Sequence, residues 1–320
     1  MENKCLYCYN PLEVGHDFHE RCSLDFFGTP KPPLFEYSLD QMDELAKNIV
    51  ERSVAVPGVQ AKLSMSLVKD ARGRSDTRLT VVGALGGQYI FKPPSDRYPE
   101  MPQNEHVTMR MAEAFGIRVV PSSLIRLASG ELSYITKRVD RKETGEKIHM
   151  IDMFQITEAF DKYKSSMEKV GKALNKYSDN TSLDKIFYLE LALFSFLTGN
   201  NDMHLKNFSM IESNSGWVLS PAYDLLNVSI INPDDEEELA LTLSGKKKGL
   251  KWDHFVQLGE GLALTDKQIQ GVLKRFERDT PKAIEWLDRS FLSEKMIINY
   301  KEVLDKRFKH LSPRHFWTTI

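Results

Sequence analysis

The sequence predicts an α/β protein of the α+β kind: a β-rich lobe over residues 51–140, a helical lobe over 141–320, and a small Cys/His knuckle with a linker helix over 1–50. Three observations carry this. Period-two patterns separated by turn-forming stretches recur between residues 63 and 138. A segment over 182–197 is apolar almost all round, as in a helix buried at the centre of a domain. All three cysteines fall within the first 22 residues, beside two histidines.

Composition bounds the function. The 320 residues are 41% apolar and 28% charged, within the globular range. A chain of this size buries roughly 75% of its unfolded surface, which excludes disorder as the main state. Lys plus Arg is 43 against 45 Asp plus Glu, a net charge of −2. That balance argues against a bare nucleic-acid coat or a polybasic membrane binder. No apolar run reaches the ~18 residues of a membrane span, and no apolar signal core follows the N-terminus. Three cysteines crowded at one end do not form a disulfide framework, so a reducing, cytoplasmic setting is expected.

Cys5-Leu-Tyr-Cys8 is a C-x-x-C, and His19-Glu-Arg-Cys22 follows as an H-x-x-C. Four such donors in two close pairs suit tetrahedral Zn²⁺; with no position vacant, the metal is expected to be structural. His16 competes with His19 as a ligand. Thr29-Pro-Lys-Pro-Pro33 reads as a linker. Residues 38–50 read as an amphipathic helix with Leu39, Met42, Leu45, Ala46 and Ile49 on one face.

Residues 54–62, containing Gly58, lead into the strands. A glycine and a basic residue ahead of a strand bring backbone N–H groups to phosphate oxygens, although one glycine is a weak signal and no Walker G-K-[ST] is present. Leu63, Met65 and Leu67 alternate with Ser64, Ser66 and Val68; 79–82 and 88–91 follow, as in an antiparallel meander. Lys92 closes the third strand and is stopped by Pro93 and Pro94. It is either aimed at a bound group or an edge lysine facing water. Asn104-Glu105 opens a helix that ends at Gly116. This places Glu105 in the first turn, where the helix dipole favours a carboxylate. Strands over 124–126 and 133–138 complete the region.

After the apolar helix and Gly199 comes Asn-Asn-Asp202-Met-His204-Leu-Lys206-Asn207, then a hairpin over 207–220 and Pro221-Ala-Tyr-Asp224. Phosphoryl transfer needs one carboxylate near the attacking hydroxyl, and an amide oxygen with a second carboxylate to hold Mg²⁺ on the phosphates. Asp202, Asn207 and Asp224 stand in that order. Lys92 would neutralise phosphate charge and Glu105 would orient it. An Asp-x4-Asn alone carries little, but the order of five features predicts a two-lobed, protein-kinase-like fold using Mg²⁺ and ATP. The alternatives are Asx-turns for Asp202 and Asn207 and a cap for Asp224.

On these residues the chain resembles the HipA family of bacterial serine/threonine kinase toxins. Val56-Pro-Gly58-Val-Gln60-Ala-Lys62 is similar to the family's V-x-G-x-Q-x-K loop. Asp202-Met-His204-Leu-Lys206-Asn207 is similar to its catalytic loop, and Pro221-Ala-Tyr-Asp224 to its magnesium-binding segment. The resemblance implies ATP phosphates on Lys92 and adenine at a hinge spanning Lys137 to Val139. It implies transfer to a protein hydroxyl, with an aminoacyl-tRNA synthetase as the family's kind of target. Longer members carry a further N-terminal subdomain; the short HipT-type form resembles this chain more closely. That implies a HipB-like helix-turn-helix antitoxin, a separate small HipS-like protein, or both, with DNA reached only through the antitoxin and no membrane. Ala55 stands where longer members carry a modified serine. Ser53 fits one serine of the short form and is the remaining autophosphorylation candidate, or an ordinary strand-edge serine. The same loop also serves small-molecule and lipid kinases, and a non-catalytic antitoxin or repressor subunit is a further alternative.

His204 either steadies the loop by hydrogen bonding or packs against the buried helix, the structural role being favoured. Lys206 either offsets γ-phosphate charge or faces water. The acidic run 234–238 and the lysines 246–248 and 251 read best as a mobile solvated loop. From Thr265 onward the chain reads as amphipathic helical scaffold, with Pro281 at a helix start.

Overall fold

The computed structural model describes residues 3–42, 44–45, 62–69, 77–82, 86–142 and 144–311. The candidates Ser53, Gly58 and Gln60 lie outside the described residues, as do Ala46 and Ile49. The chain forms two units. One comprises Met1–His106, Val120–Lys147 and Arg289–Phe291; the other comprises Val107–Val119, Ile148–Asp288 and Leu292–Ile320.

The first unit is built on a five-stranded antiparallel sheet. Its strands are β1 (Leu63–Lys69), β2 (Thr77–Val82), β3 (Tyr89–Lys92), β4 (Ser122–Arg126) and β5 (Leu132–Lys137), in the order β2-β1-β3-β5-β4. A meander would pair β2 with β3. Instead β1 pairs with both, Met65 facing Val81 on one side and Tyr89 on the other. β1 buries Leu63 and Met65 completely, whereas β2 buries only Leu79, so β2 is the strand left outside.

Leu34, the residue just after the expected linker over residues 29–33, covers that outer edge. Leu34 donates its N–H to the Thr77 carbonyl at 2.8 Å and accepts from Leu79 N–H at 3.0 Å. Pairing of this kind protects an edge strand. Phe35 then packs on Phe91 at 5.2 Å between ring centroids. Residues 39–42 and 44–45 are helical, with Met42 fully buried. Ahead of them α1 (Glu20–Phe27) ends at Gly28 in the left-handed region.

Helix α2 (Met101–Ala114) starts three residues earlier than the sequence suggested. Pro102 sits in the first turn, where a missing N–H costs no hydrogen bond. Glu105 therefore lies in the second turn, away from the free N–H groups. The dipole does not explain it.

The second unit is organised round α5 (Thr181–Leu197), which packs against α4 (Met167–Tyr177), α6 (Trp252–Gly261), α7 (Asp266–Asp288) and α8 (Glu294–Leu311). Tyr188, Leu189, Leu193, Phe194, Phe196 and Leu197 on α5 are fully buried, each worth about 1.5–3 kcal/mol of burial. Leu183, expected to join them, is 61% exposed in the first turn. A small antiparallel sheet, β6 (Met150–Asp152), β7 (Ser209–Ser213) and β8 (Gly216–Leu219), carries the predicted hairpin. β6 runs into the short helix α3 (Met153–Ile156) through a capping box of Asp152 and Gln155. Asp184, fully buried on α5, accepts from Leu219 N–H at 2.7 Å and from Ser178 Oγ at 2.7 Å, and meets Arg118 at 3.3 Å. These bonds pin β8 to α5.

Two expectations about the C-terminal half are corrected. Pro281 lies inside α7, on its exposed side, where water can serve the carbonyl that loses its N–H partner. The acidic and basic runs do not form a wholly solvated loop. Lys247 pairs with Glu237 at 2.9 Å and Lys248 with Glu236 at 3.0 Å. Glu238 is buried, accepts from Leu250 N–H at 2.7 Å and is paired with Arg307 of α8. Opposite charges ten and twelve residues apart have folded back on each other. Among the described residues, no helix is long and apolar enough to cross a membrane.

Breaking a buried pair strands its partner in low dielectric. Arg307→Leu is therefore expected to lower unfolding stability by about 3–5 kcal/mol, read as a fall in the chemical denaturation midpoint. A change under about 1 kcal/mol, the range of exposed pairs, would contradict this.

Candidate active site

The first unit brings two predicted residues into contact. Lys92, the last residue of β3, lies opposite Tyr134 of β5 in register. Its Nζ donates to Glu105 Oε1 at 2.5 Å, with the side chains only 5% and 1% exposed. The ammonium stands 5.3 Å from the Tyr134 ring centroid. Lys92 is thus no edge lysine facing water. The strand, stopped by its two prolines, delivers it beside the second turn of α2. Lys62 is exposed just ahead of β1. Lys137 ends β5 and directs its ammonium to the Phe26 ring, 5.9 Å away, and Val139 is half-buried just beyond.

The same unit gathers Cys5, Cys8, His19 and Cys22, whose ligand atoms all lie within 4.8 Å of one another. His16 is exposed and outside the group, which resolves the choice of histidine. His19 Nε2 bonds the Pro11 carbonyl at 3.0 Å, leaving Nδ1 to face the sulfurs of Cys8 at 3.4 Å and Cys22 at 3.7 Å. An imidazole anchored this way by its other nitrogen is the usual arrangement of a metal-binding histidine. Burial, and then the neighbouring Cys5, push the Cys22 thiol up to about 11. A cation removes the repulsion that opposes a second thiolate here. The donor set fits a tetrahedral soft-metal site.

The second unit holds the catalytic-looking loop. α5 stops at Thr198, and Gly199 reverses the chain at φ +66°. A Cβ there would lie 2.7 Å from Ser229 Oγ, so glycine is required. The loop closes in a 3-10 turn over Leu205–Asn207. Asn207 Nδ2 donates to the Asp202 carbonyl at 3.0 Å, which turns its amide oxygen away from that carbonyl and frees it for a cation. Tyr163 donates its hydroxyl to Asp202 Oδ1 at 2.6 Å. Burial, and then Asp202, hold this phenol well above its ordinary range, so it remains a donor.

His204 is buried, and its Nε2 accepts from Lys162 Nζ at 2.8 Å. Burial lowers its pKa first, opposed by Asp202; Lys162 lowers it further, opposed by Asp224. Burial outweighs the pull of the two acids and favours the neutral imidazole. Lys206 is exposed, with its ammonium 4.9 Å from the Phe154 ring centroid. Asp224 sits at φ +61°, a left-handed conformation uncommon for a residue with a side chain. Its neighbours hold it there. Ala222 donates its N–H to the Arg118 carbonyl at 2.8 Å, and Tyr223 donates to the Lys206 carbonyl at 3.0 Å. Tyr163 and Lys162 were not among the predicted residues; they lie in a loop with no motif of its own.

The comparisons with known proteins follow this geometry. Residues 54–284 match the family model of the HipA-like C-terminal domain. A provisionally named kinase of Haemophilus influenzae is 26% identical over 277 residues, covering 76% of this chain and 78% of that protein. The serine/threonine-protein kinase toxin HipA of Shewanella oneidensis is 26% identical over 255 residues, covering 72% of this chain and 56% of the toxin. Among solved structures, a complex of Shewanella oneidensis HipA with HipB and operator DNA matches with a TM-score of 0.68 at 22% identity, over 88% of this chain and 72% of that one. The Helicobacter pylori proinflammatory kinase CtkA matches with a TM-score of 0.51 at 17% identity, over 72% of this chain and 90% of that one. The fold is kinase-like.

A histidine with a depressed folded pKa adds stability that is complete above its ordinary value of 6.5 and is lost as pH falls through the folded value. Melting temperature is therefore expected to fall from pH 8 to pH 5, and His204→Gln to flatten part of that fall. An unchanged acid limb in the variant would show that His204 does not contribute.

Proposed function

The chain belongs to the HipA-like C-terminal domain family, and we propose that it is an ATP-dependent serine/threonine protein kinase. One observation carries this reading above the others. Lys92 and Glu105 form a 2.5 Å ion pair in a nearly dry site. A buried pair is at best weak support for stability, whereas kinase chemistry needs a strand lysine fixed by a helix glutamate.

In this reading Lys92 neutralises the α- and β-phosphates of ATP while Glu105 keeps its Nζ in place. Asp202 positions the acceptor hydroxyl and takes its proton. The new bond joins the acceptor oxygen to the γ-phosphorus as the bond to the ADP oxygen breaks. The Asn207 amide oxygen and the Asp224 carboxylate are hard donors suited to Mg²⁺. When bound, Mg²⁺ supplies charge neutralisation on the phosphates. Lys206, exposed beside these groups, offsets γ-phosphate charge. Neutral His204 steadies the loop through its bond with Lys162. Tyr163 donates to Asp202 as an acceptor hydroxyl would, and yields that position when a substrate arrives.

Two further parts belong to the proposal. Cys5, Cys8, His19 and Cys22 hold a structural Zn²⁺. The partner is an antitoxin of the HipB kind, since the solved HipA relative is a complex with HipB and operator DNA. A net charge of −2 gives this chain little electrostatic hold on DNA by itself.

The test is transfer from γ-labelled ATP with Mg²⁺ into a cytosolic lysate, wild type against Asp202→Ala. Asp202 is only half-buried, so the substitution leaves no stranded partner of the Lys92–Glu105 kind. A labelled protein band reduced about 10²–10⁴-fold in the variant is expected. Label in small molecules alone would indicate a metabolite or lipid kinase. No transfer by the folded, ATP-binding wild type would overturn the enzymatic reading in favour of a binding subunit.

A further inference from the structure

We infer that the metal knuckle fixes the position of Glu105, and through it Lys92, by way of Tyr9 and His106; this rests on the metal-site and kinase readings above. Tyr9 directly follows the ligand Cys8. It is left-handed at φ +62°, a conformation that glycine adopts freely and tyrosine does not. Its N–H closes the knuckle turn on the Cys5 carbonyl at 2.9 Å. A strained backbone marks a residue held for another purpose, and here the purpose is its side chain. The ring is 1% exposed, edge-on to His106 at 5.2 Å and to Phe291 at 5.3 Å. Its hydroxyl lies 2.7 Å from His106 Nδ1.

His106 is the residue after Glu105 and is fully buried. Its Nε2 lies 3.3 Å from the Ser122 carbonyl on β4. A carbonyl only accepts, so Nε2 carries a proton toward Ser122 while Nδ1 bonds the Tyr9 hydroxyl. The imidazole thus clamps the second turn of α2 between the knuckle and the sheet. On its other side the ring approaches Tyr134 at 6.5 Å, the ring beneath the Lys92 ammonium. A continuous line of contacts runs from a metal ligand to both members of the ion pair, all within one unit.

The knuckle is itself seated on this unit. Leu124 N–H bonds the Leu6 carbonyl at 3.3 Å, Arg126 pairs with Asp17 at 3.0 Å, and Phe26 packs near Tyr89 at 5.8 Å. Tyr9 and His106 are positioning residues, since neither touches a reacting atom. Outer partners that fix an inner group tune it without contacting substrate. Loss of the metal then frees the turn, moves Tyr9 and loosens Glu105, so that zinc occupancy governs nucleotide affinity.

The decisive variant is Tyr9→Phe in the full chain, which keeps the ring and removes only the hydroxyl. Zinc content should stay at one per chain. Amide hydrogen exchange over residues 104–108 should quicken between about twofold and tenfold, the range of one lost hydrogen bond. KM for ATP should rise by a similar factor with kcat less affected. Chelating zinc from the wild type should quicken the same segment at least as much. Wild-type exchange at 104–108 in zinc-loaded Tyr9→Phe would overturn the proposal. So would chelation that loosens residues 5–22 and spares 104–108, or a purified protein without zinc. If chelation unfolds the whole unit, the zinc-loaded variant still decides. Exchange does not depend on catalysis, so a chain that transfers no phosphate yet shows the exchange changes would overturn the kinase reading while supporting the coupling.

Discussion

The Lys92–Glu105 pair sets the terms for everything around it in the first unit. Moving two charges out of water costs several kcal/mol each, recovered only if geometry and surroundings hold them together. The sheet answers part of that demand. β3 is an inner strand, flanked by β1 as far as Phe91 and by β5 through Lys92 itself, which delivers its end into a buried place. Tyr134, in register with Lys92, offers the face of its ring to the ammonium. Pro102 answers another part by starting α2 early enough to place Glu105 inside the helix, where its backbone is fully bonded. Each of these features has an ordinary local cause, and together they permit one costly contact.

The second unit meets a comparable demand with different means. Its carboxylates Asp202 and Asp224 are only half-buried, so solvation is less the difficulty than aim. Aim comes from the most buried helix of the unit and from what is bonded to its ends. Asp184 at the start of α5 fixes β8, and Gly199 after its end fixes the entry to the loop. Between those anchors Asn207 is tied to Asp202 through its amide, and Asp224 takes a left-handed conformation just after Ala222 and Tyr223, which are bonded to Arg118 and Lys206. The strain at Asp224 and the depressed pKa of His204 mark the same place. Functional sites concentrate such departures because the surrounding core can sustain them.

Much of this was legible in the sequence, and the limits follow from physics. β1 and α5 announce themselves because burial writes a period into one contiguous stretch. Lys92, Glu105, Asp202, Asn207 and Asp224 were each legible as candidates from their order. That Glu105 orients Lys92 was expected as well; the burial and distance of their contact were not legible, since they depend on register and on where α2 begins. Tyr163 reaches Asp202 from thirty-nine residues upstream, and no local pattern encodes that reach. Pro281 and the acidic run were misread for opposite reasons. Pro281 is tolerated inside α7 because solvent on its exposed side serves the freed carbonyl, whereas the rule for charge blocks assumes solvent and α8 replaces it at Glu238. The strand order failed similarly: alternation predicts strands, but which strand lies inside is decided by how many residues each can bury.

The knuckle bears on why the proposed metal site and the Lys92–Glu105 pair share one unit. A stretch of fewer than ~40 residues buries too little apolar surface to hold a shape alone and needs a metal or a partner surface. This one has both. Cys5 and Cys8 bracket the turn that leads to Tyr9; Phe26 packs both within the knuckle, on Phe27, and on Tyr89 of the sheet, while Tyr9 packs on His106 of α2. In the proposed reading the metal adds to the Cys5 carbonyl bond and to the packing on His106 and Phe291 that already hold the left-handed turn at Tyr9, and so stiffens the link to His106. The donor set that stabilises the knuckle is therefore also what makes a hydrogen bond from Tyr9 useful as a positional constraint. A floppy donor satisfies an imidazole equally well but does not locate it.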